Sequence, residues 1–481
     1  MSIYLVLIPL LFSMISFVLK GNTVKQIALA GSLILLAFTG YLVSSMSFSG
    51  VAEYVTTWNW SVSPPIQFSM GLDGLNVLLV LLTSVLLPLI ILNSFDKADD
   101  SKNAVYGLTF LMVAAMNGVF IARDGLSFYI FWEMALIPIY FICAFWGGEK
   151  KIQITFKFFI YTFIGSLFML VSLLYVYLQT PGAHSFDLEA LTAVSLSGRE
   201  AVLVMLGFFL GFAVKIPIFP FHSWQPDTYT NAPVIGTLLL SGIMLKMGTY
   251  GLMRWLVGIS PEGLEQAKFW LITLSVIGIV YGSLIAITQR DMKRLFAWVS
   301  MAHVNLIAAG IFTVSEAGWQ GALIQMFNHG VNIVGLFVVA DIIEKRLGTR
   351  DLNELGGIAS SAPRYAALAF IVLLGTIALP MTNGFTGEFL LLKSVYQYNQ
   401  WLGFFATTTI ILSAVYMFRV FQLAMFGNGN AKTAHFKDLS VSEGLVLGVV
   451  VFFILTVGLF PQTLLDLTKQ SVEQLLQLSA G

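Results

Sequence analysis

Residues 201–220 read AVLVMLGFFLGFAVKIPIFP, and this stretch decides how the rest of the chain is interpreted. Its length matches the ~20 residues that a helix needs to cross about 30 Å of hydrocarbon. It also holds a charged side chain, Lys215, beside two helix breakers, Pro217 and Pro220. A charge next to a break inside a membrane is costly, and such positions usually mark an ion path or a hydrated cavity.

The composition extends this interpretation to the whole chain. Of 481 residues, 57% are apolar and only 10% are charged, whereas soluble domains have about 25% charged residues. Apolar runs repeatedly reach about 20 residues, which is typical of helices, because strands of a membrane barrel would alternate polar and apolar residues over about 10 positions. We therefore predict an all-α integral membrane protein in contact with the lipid bilayer.

Charge and cysteine content exclude several other classes. The chain has 25 basic and 25 acidic residues, so nothing indicates a nucleic-acid partner. Cys143 is the single cysteine, which excludes an internal disulfide and an iron–sulfur cluster held by this chain alone. Residues 2–19 lack a basic start and a cleavage site, so we expect a retained helix there.

Apolar runs between loops predict about fourteen spans. Their approximate limits are 2–19, 27–46, 72–94, 104–121, 126–145, 154–178, 201–220, 233–256, 269–287, 295–314, 319–343, 364–398, 402–426 and 443–461. After the last span, leucines and Val472 among polar residues predict a short amphipathic helix from Gln462 to Leu478.

Basic residues in the loops predict the orientation. Loops after odd-numbered spans hold 15 Lys and Arg, Lys20 and Lys97 among them, and the other side holds 6, including Arg254. Since positive loops stay in the cytoplasm, both termini are predicted outside. The remaining 4, namely Lys157, Lys215, Lys246 and Arg419, fall inside predicted spans.

Six titratable residues of mixed sign lie within the spans: Glu133, Lys215, Lys246, His303, His329 and Glu388. One charge at mid-bilayer costs at least ~2.5–3.5 kcal/mol on insertion scales, so such a set favours ion or proton transport. Structural ion pairs are the alternative for any single residue. Two histidines could also ligate a haem, but no accompanying haem-site pattern is visible. We predict no metal site.

Two predicted helix breaks lie beside charges, at Lys215-Pro217 and at Pro380-Glu388. Glu133 and Lys215 are 82 residues apart, and His303 and Glu388 are 85 apart; Lys215 to Lys246 and Glu388 to Arg419 are both 31. This spacing predicts two inverted five-helix repeats, 104–256 and 257–426, between N-terminal helices 1–103 and a final helix with its tail at 427–481.

Several motifs together resemble the antiporter-like subunit M family of respiratory complex I, the proton-pumping NADH:quinone oxidoreductase, over nearly the whole chain. They are MGLDGL (70–75), FWE (131–133), KFFIYT (157–162), KIP (215–217), HSWQPD (222–227), DMKRL (291–295) and NGFTGEF (383–389). The glutamate at position 388 is the most discriminating, because sister subunits typically carry lysine there. The run TYTNAP (228–233) departs from the family pattern, which puts a proton role for that loop in doubt.

The resemblance implies a proton-translocating subunit with fourteen helices, whose six buried titratable residues carry the proton. It implies no cofactor and no redox site in this chain, since FMN, iron–sulfur clusters and quinone belong to partner subunits of the enzyme. The expected partners are other complex I membrane subunits, including sister antiporter-like subunits. The expected location is the bacterial inner membrane, with both termini periplasmic. A multisubunit Na⁺/H⁺ antiporter, a membrane-bound hydrogenase subunit and a non-pumping scaffold remain alternatives.

Overall fold

The computed structural model describes residues 1–19, 21, 23–62, 65–95 and 102–480, and most of them are helical. The first helices are α1 (Tyr4–Val18), α2 (Thr23–Ser45), α3 (Val77–Asn93), α4 (Lys102–Ile121), α5 (Gly125–Met134), α6 (Leu136–Trp146), α7 (Lys151–Gln179), α8 (Leu188–Thr192), α9 (Gly198–Lys215) and α10 (Gln225–Asn231).

The remaining helices lie from residue 234 onward. They are α11 (Val234–Leu239), α12 (Leu245–Gly251), α13 (Val257–Ile259), α14 (Pro261–Thr288), α15 (Met292–Phe312), α16 (Glu316–Leu347), α17 (Ile358–Ser361), α18 (Pro363–Thr376), α19 (Asn383–Tyr398), α20 (Gln400–Met425), α21 (Val441–Leu459) and α22 (Gln462–Ala480). Single 3₁₀ turns cover Leu352–Glu354 and Thr433–His435.

The helical membrane class is confirmed. Within the described residues, 10 helical segments are long and apolar enough to cross a membrane, and α1, α3 and α18 are shorter apolar helices. The number fourteen stays a prediction. The tail predicted at 462–478 is the helix α22. Lys20 and Lys97, which contributed to the predicted orientation, lie outside the described residues.

Both predicted breaks are confirmed. One lies between α9 and α10, and the other between α18 and α19. A break frees backbone carbonyl groups that have no water to bind at membrane depth. Neighbouring side chains satisfy them: the Trp224 indole donates to the Val214 carbonyl at 2.9 Å, and the Asn332 amide donates to the Gly375 carbonyl at 2.9 Å. The breaks are therefore held by specific partners.

Further irregularities were not predicted. The span Gly125–Trp146 is interrupted at Ala135, between α5 and α6 and two residues after Glu133. Pro138 explains this interruption, because it has no N–H to donate to the Met134 carbonyl four residues earlier. Two π-helical segments, Leu240–Met244 and Leu252–Leu256, flank the helix that carries Lys246.

A two-stranded antiparallel sheet was also not predicted. Strand β1 (Glu53–Val62) pairs with β2 (Pro65–Leu72), and Trp58 lies opposite Phe68. We call the side of the protein with this sheet the hairpin face. The tail helix α22 reaches the same face, where the Ser471 hydroxyl accepts a hydrogen bond from the Gly74 backbone at 2.9 Å.

One local motif occurs twice. Asp124 accepts a hydrogen bond from the Ser127 backbone at the start of α5, and its backbone forms a bridge to Asp187. Asp291 does the same at the start of α15, accepting from Arg294 and bridging to Asp351. A carboxylate at this position satisfies free N–H groups of the first helical turn. Both copies thus fix the beginning of a helix that carries a titratable residue.

Three helical segments form the interior of the molecule: Val234–Ile259, Met292–Phe312 and Glu316–Leu347 each contain an 18-residue stretch that is entirely buried. They carry Lys246, His303 and His329, which are at most 5% exposed. These side chains therefore face protein and not lipid.

The close approach of α18 and α19 across their break gives a testable prediction. A Cβ atom on Gly384 would lie 2.3 Å from the Gly375 carbonyl oxygen, which is backbone and cannot move aside easily. We expect Gly384→Ala to destabilise the protein by about 1–3 kcal/mol, the usual range for overpacking. The measurement is thermal unfolding in detergent. Gly444→Ala is the matched control, because nothing lies within 4 Å of its added Cβ; equal stability of the two variants would contradict the packing described.

Candidate functional site

Four of the six predicted site residues form a connected set, which we call the buried chain: Lys246, His329, His303 and Glu388. The Lys246 ammonium lies 2.9 Å from Nδ1 of His329. The rings of His329 and His303 are 6.2 Å apart between centroids, and Nδ1 of His303 lies 2.8 Å from Oε1 of Glu388. The chain thus joins α12, α16, α15 and α19, so residues far apart in sequence become direct neighbours.

Polar groups support the buried chain along its length. Lys246 also donates to the Ser241 carbonyl at 2.7 Å, within the first π-helical segment. The Ser300 hydroxyl lies 3.3 Å from Nε2 of His329, and the Tyr416 hydroxyl lies 3.5 Å from Nε2 of His303. These partners orient the two rings, so that His329 directs Nδ1 at Lys246 and His303 directs Nδ1 at Glu388.

A small cavity lies between the two histidines. Its volume is about 10 Å³, which is roughly enough for one water molecule. Both rings line it, together with the polar side chains of Gln325, Asn332 and Thr376. A polar cavity of this size between two rings is suited to a bridging water.

Glu133 and Lys215 form a second group. The Lys215 ammonium is buried, makes no hydrogen bond to any described residue, and lies 5.0 Å from the centre of the Trp132 ring. Glu133 is the oppositely charged side chain that acts on Lys215, although Oε1 of Glu133 also lacks a hydrogen-bond partner among the described residues. The two interact electrostatically without direct hydrogen bonding, which leaves both free to change partners.

The two remaining basic residues of the predicted spans do not join the buried chain. Arg419 donates to the carbonyls of Ile287 and Gln289 at 2.6 and 3.1 Å, at the end of α14. Lys157 pairs with Asp227 at 3.0 Å. Lys246 and Arg419 therefore make different contacts, although each lies 31 residues after the charged residue at its break.

The orientation count treated Arg254 as a loop residue, and the structure places it elsewhere. Arg254 is 8% exposed, lies in the second π-helical segment and forms an ion pair with Asp73. Lys293, also counted in a loop, is 4% exposed and donates to the Ala232 carbonyl at 2.6 Å. Sequence alone missed these burials because the partners are distant in the chain.

The supporting amides were also missed, although a signal for them exists. Gln325, His329 and Asn332 are spaced by four and three residues on α16, which places them on one helix face. A polar stripe of this kind in an otherwise apolar helix indicates a buried polar path. The buried chain beside this stripe is suited to proton transfer, because Lys, His and Glu can each exist with and without the proton.

The family of the chain follows from comparison with known proteins. The family model described as the transmembrane region of NADH:quinone oxidoreductase and Mrp antiporters matches residues 122–413. The chain belongs to this family. The matched range contains all six site residues, including both ends of the buried chain.

Relatives match over nearly their full length. NADH-quinone oxidoreductase subunit M of Rickettsia conorii is 36% identical, covering 99% of this chain and 98% of its own length. F420H2 dehydrogenase subunit M of Methanosarcina mazei is 35% identical, covering 99% and 98%. Among solved structures, a chain of respiratory complex I from Thermus thermophilus with bound NADH has a TM-score of 0.93 at 30% identity and covers 100% of both chains.

The contact between Lys246 and His329 gives a prediction about stability. His329→Leu leaves the Lys246 ammonium with the Ser241 carbonyl alone, and a buried polar group that loses a partner costs about 1–3 kcal/mol. We expect His329→Leu to lower the melting temperature in detergent. Adding Lys246→Met should recover part of this loss, since apolar replacement of both partners is often nearly neutral. A double variant whose loss equals the sum of the two single losses would show that the two side chains do not interact.

Proposed function

We propose that this chain is a proton-translocating membrane subunit of NADH:quinone oxidoreductase, in which the six titratable residues carry the proton. The single observation that supports this most is the buried chain itself. Its members are at most 5% exposed and lie on the buried helical segments or directly against them. Lys246 contacts His329, His303 contacts Glu388, and a water-sized cavity lies between the two histidines. Structural ion pairs alone do not require two histidines placed in line between a lysine and a glutamate.

Glu133 and Lys215 form the control element of the proposed mechanism. Two unit charges about 7 Å apart at an effective dielectric of about 20 interact by about 2.4 kcal/mol. Moving Glu133 towards or away from Lys215 therefore changes by a large factor how firmly Lys215 holds its proton. The interruption near Glu133 and the break next to Lys215 place each side chain beside a non-helical backbone segment.

The buried chain is the proposed lateral relay. The Lys246 ammonium gives a proton to Nδ1 of His329, and the imidazolium releases a proton through the cavity water to His303. His303 then passes a proton to the Glu388 carboxylate, which it contacts at 2.8 Å. Each donor returns to its neutral or anionic form, so one proton moves along the chain for each cycle. An imidazole has one nitrogen that can accept a proton and another that can donate one, which suits this role.

The two inverted repeats, 104–256 and 257–426, stay part of the proposal. The duplicated aspartate motif supports them, because Asp124 and Asp291 each precede a helix with a site residue. The copies lie at opposite faces: Asp124 precedes the span Gly125–Trp146, and Trp146 at its far end shares a cleft with Arg350, which binds Asp291. Such inversion places equivalent elements on opposite sides of the membrane.

Partners and location are proposed as follows. FMN, iron–sulfur clusters and quinone reside in partner subunits, and sister antiporter-like subunits adjoin this chain in the bacterial inner membrane. Both termini lie on the periplasmic side. In support, the amino terminus contacts Thr56 of β1 at 3.3 Å and α22 reaches the hairpin face as well, so both ends of the chain lie at one face.

A second candidate is a subunit of a multisubunit Na⁺/H⁺ antiporter or of a related redox complex. The description of the family includes Mrp antiporters, and the Methanosarcina relative belongs to an enzyme named for F420H2. Purification of the native assembly separates the candidates: a complex that contains FMN and oxidises NADH supports the first, whereas a complex without redox subunits supports the antiporter.

Lys215 gives the central functional prediction. In the intact complex reconstituted into liposomes, Lys215→Ala should abolish the contribution of this subunit to the number of protons moved per NADH oxidised, because no group remains that Glu133 can control. Glu133→Gln should also lower the number. Lys393→Ala is the control, since Lys393 is exposed on α19. An unchanged proton-to-NADH ratio in Lys215→Ala would reject the proposed function, provided that the complex is assembled.

A further inference from the structure

A second row of polar side chains leaves the buried chain at Lys246. Lys246, Tyr250 and Arg254 follow at intervals of four residues in the span Val234–Ile259, so they lie on one side of the helix. The Arg254 side chain confirms this arrangement, because its Nε donates to the Tyr250 hydroxyl at 3.1 Å. Tyr250 is 1% exposed. The row therefore runs through the interior from the middle of the molecule towards its hairpin face.

The row ends at an ion pair between Arg254 and Asp73, which follows β2. The side chains of the pair are 9% and 6% exposed. The second carboxylate oxygen of Asp73 accepts from the Leu75 backbone at 2.9 Å, and Arg123 lies 4.0 Å from Asp73. The free energy needed to remove two charges from water often exceeds the free energy gained from their attraction. Stability alone is thus a weak reason for placing these charges here.

A cavity lies directly beside this pair. It has a volume of about 340 Å³ and is lined by Asp73 and Arg254, by Arg123 with its partner Glu189, and by Ser471 of α22. A volume of this size, with charged side chains in its wall, has room for many water molecules. Asp73 therefore borders the cavity on one side and Arg254 on the other, at the end of a row that begins at Lys246.

We propose that Tyr250 and Asp73 connect Lys246 with this cavity and so form a proton branch to the hairpin face, with the Asp73–Arg254 ion pair as its gate. The proposal rests on the proposed function, because it needs a mobile proton on Lys246. Arg254 keeps its proton throughout and acts by position only. While the pair is closed, the guanidinium occupies one oxygen of the Asp73 side chain.

The transfer is balanced. When the pair separates, the Tyr250 hydroxyl gives its proton to the Asp73 carboxylate and takes one from the Lys246 ammonium, which becomes a neutral amine. Asp73 then releases the proton to cavity water and pairs with Arg254 again. In this structure the ammonium contacts Ser241 and His329, so the Lys246 side chain must turn towards Tyr250, one helical turn away. The same lysine thus serves the lateral relay or the branch, but not both at once.

The test uses the intact complex in liposomes and compares Tyr250→Phe with Lys246→Ala. Tyr250→Phe removes a single hydroxyl and keeps the ring that packs on Phe120. We expect both variants to lower the number of protons per NADH, with Lys246→Ala losing at least as much as Tyr250→Phe because it also interrupts the lateral relay. The double variant should lose no more than Lys246→Ala alone, since Tyr250 acts only through Lys246. Tyr365→Phe is the matched control: Tyr365 is fully buried, and its hydroxyl donates to the Val339 carbonyl away from this path.

Asp73 provides an independent arm. Asp73→Asn should lower the ratio as Tyr250→Phe does, and Asp73→Glu, which keeps a carboxylate, should retain most of it. A merely structural role predicts instead that both Asp73 variants lose assembled complex at an unchanged ratio. If Asp73→Asn does not assemble, Tyr250→Phe decides the question.

The outcomes separate the two proposals. A normal ratio in Tyr250→Phe together with a lowered ratio in Lys246→Ala overturns the branch and leaves the proposed function standing. A normal ratio in Lys246→Ala overturns both.

Discussion

A helix that breaks inside a membrane must find partners for the carbonyl groups that it frees, and this constraint shapes the whole structure. Water and lipid cannot serve as partners in a dry interior, so Trp224, at the end of the first break, supplies its indole, and asparagines of α16 supply amides at the second. Those donors must themselves be buried, which requires enclosed helices rich in polar residues. The breaks and the polar interior are therefore two aspects of one arrangement.

This arrangement explains where the charges lie. A lysine or glutamate on a lipid-facing helix surface would be costly, whereas one inside the bundle shares the polar environment that the breaks already need. Lys215 ends the helix before one break, and Glu388 lies six residues into the helix that begins after the other. The two breaks are thus similar in construction and different in where they place their charge, so the two halves of the chain need not perform the same step.

The sequence predicted the elements that depend on local chemistry. Hydropathy located the spans, proline and glycine located the breaks, and buried charges located the site residues, of which four form one connected row. Features that depend on contacts between distant segments were missed. Arg254 was assigned to a loop because its partner, Asp73, is 181 residues away. The sheet was missed although Tyr54, Val55, Trp58 and Trp60 are residues typical of strands.

The two π-helical segments around Lys246 have a mechanical consequence. Each contains a backbone step in which hydrogen bonds reach one residue further than in an α-helix. When such a step migrates along the helix by one position, the residue that it passes rotates by about 100° and advances by about 1.5 Å. Lys246 lies between two of these steps, so its ammonium can be redirected by a local change in winding while both ends of the span remain anchored. Rotation of this short helical segment would therefore bring the Lys246 amine to one neighbouring side chain at a time.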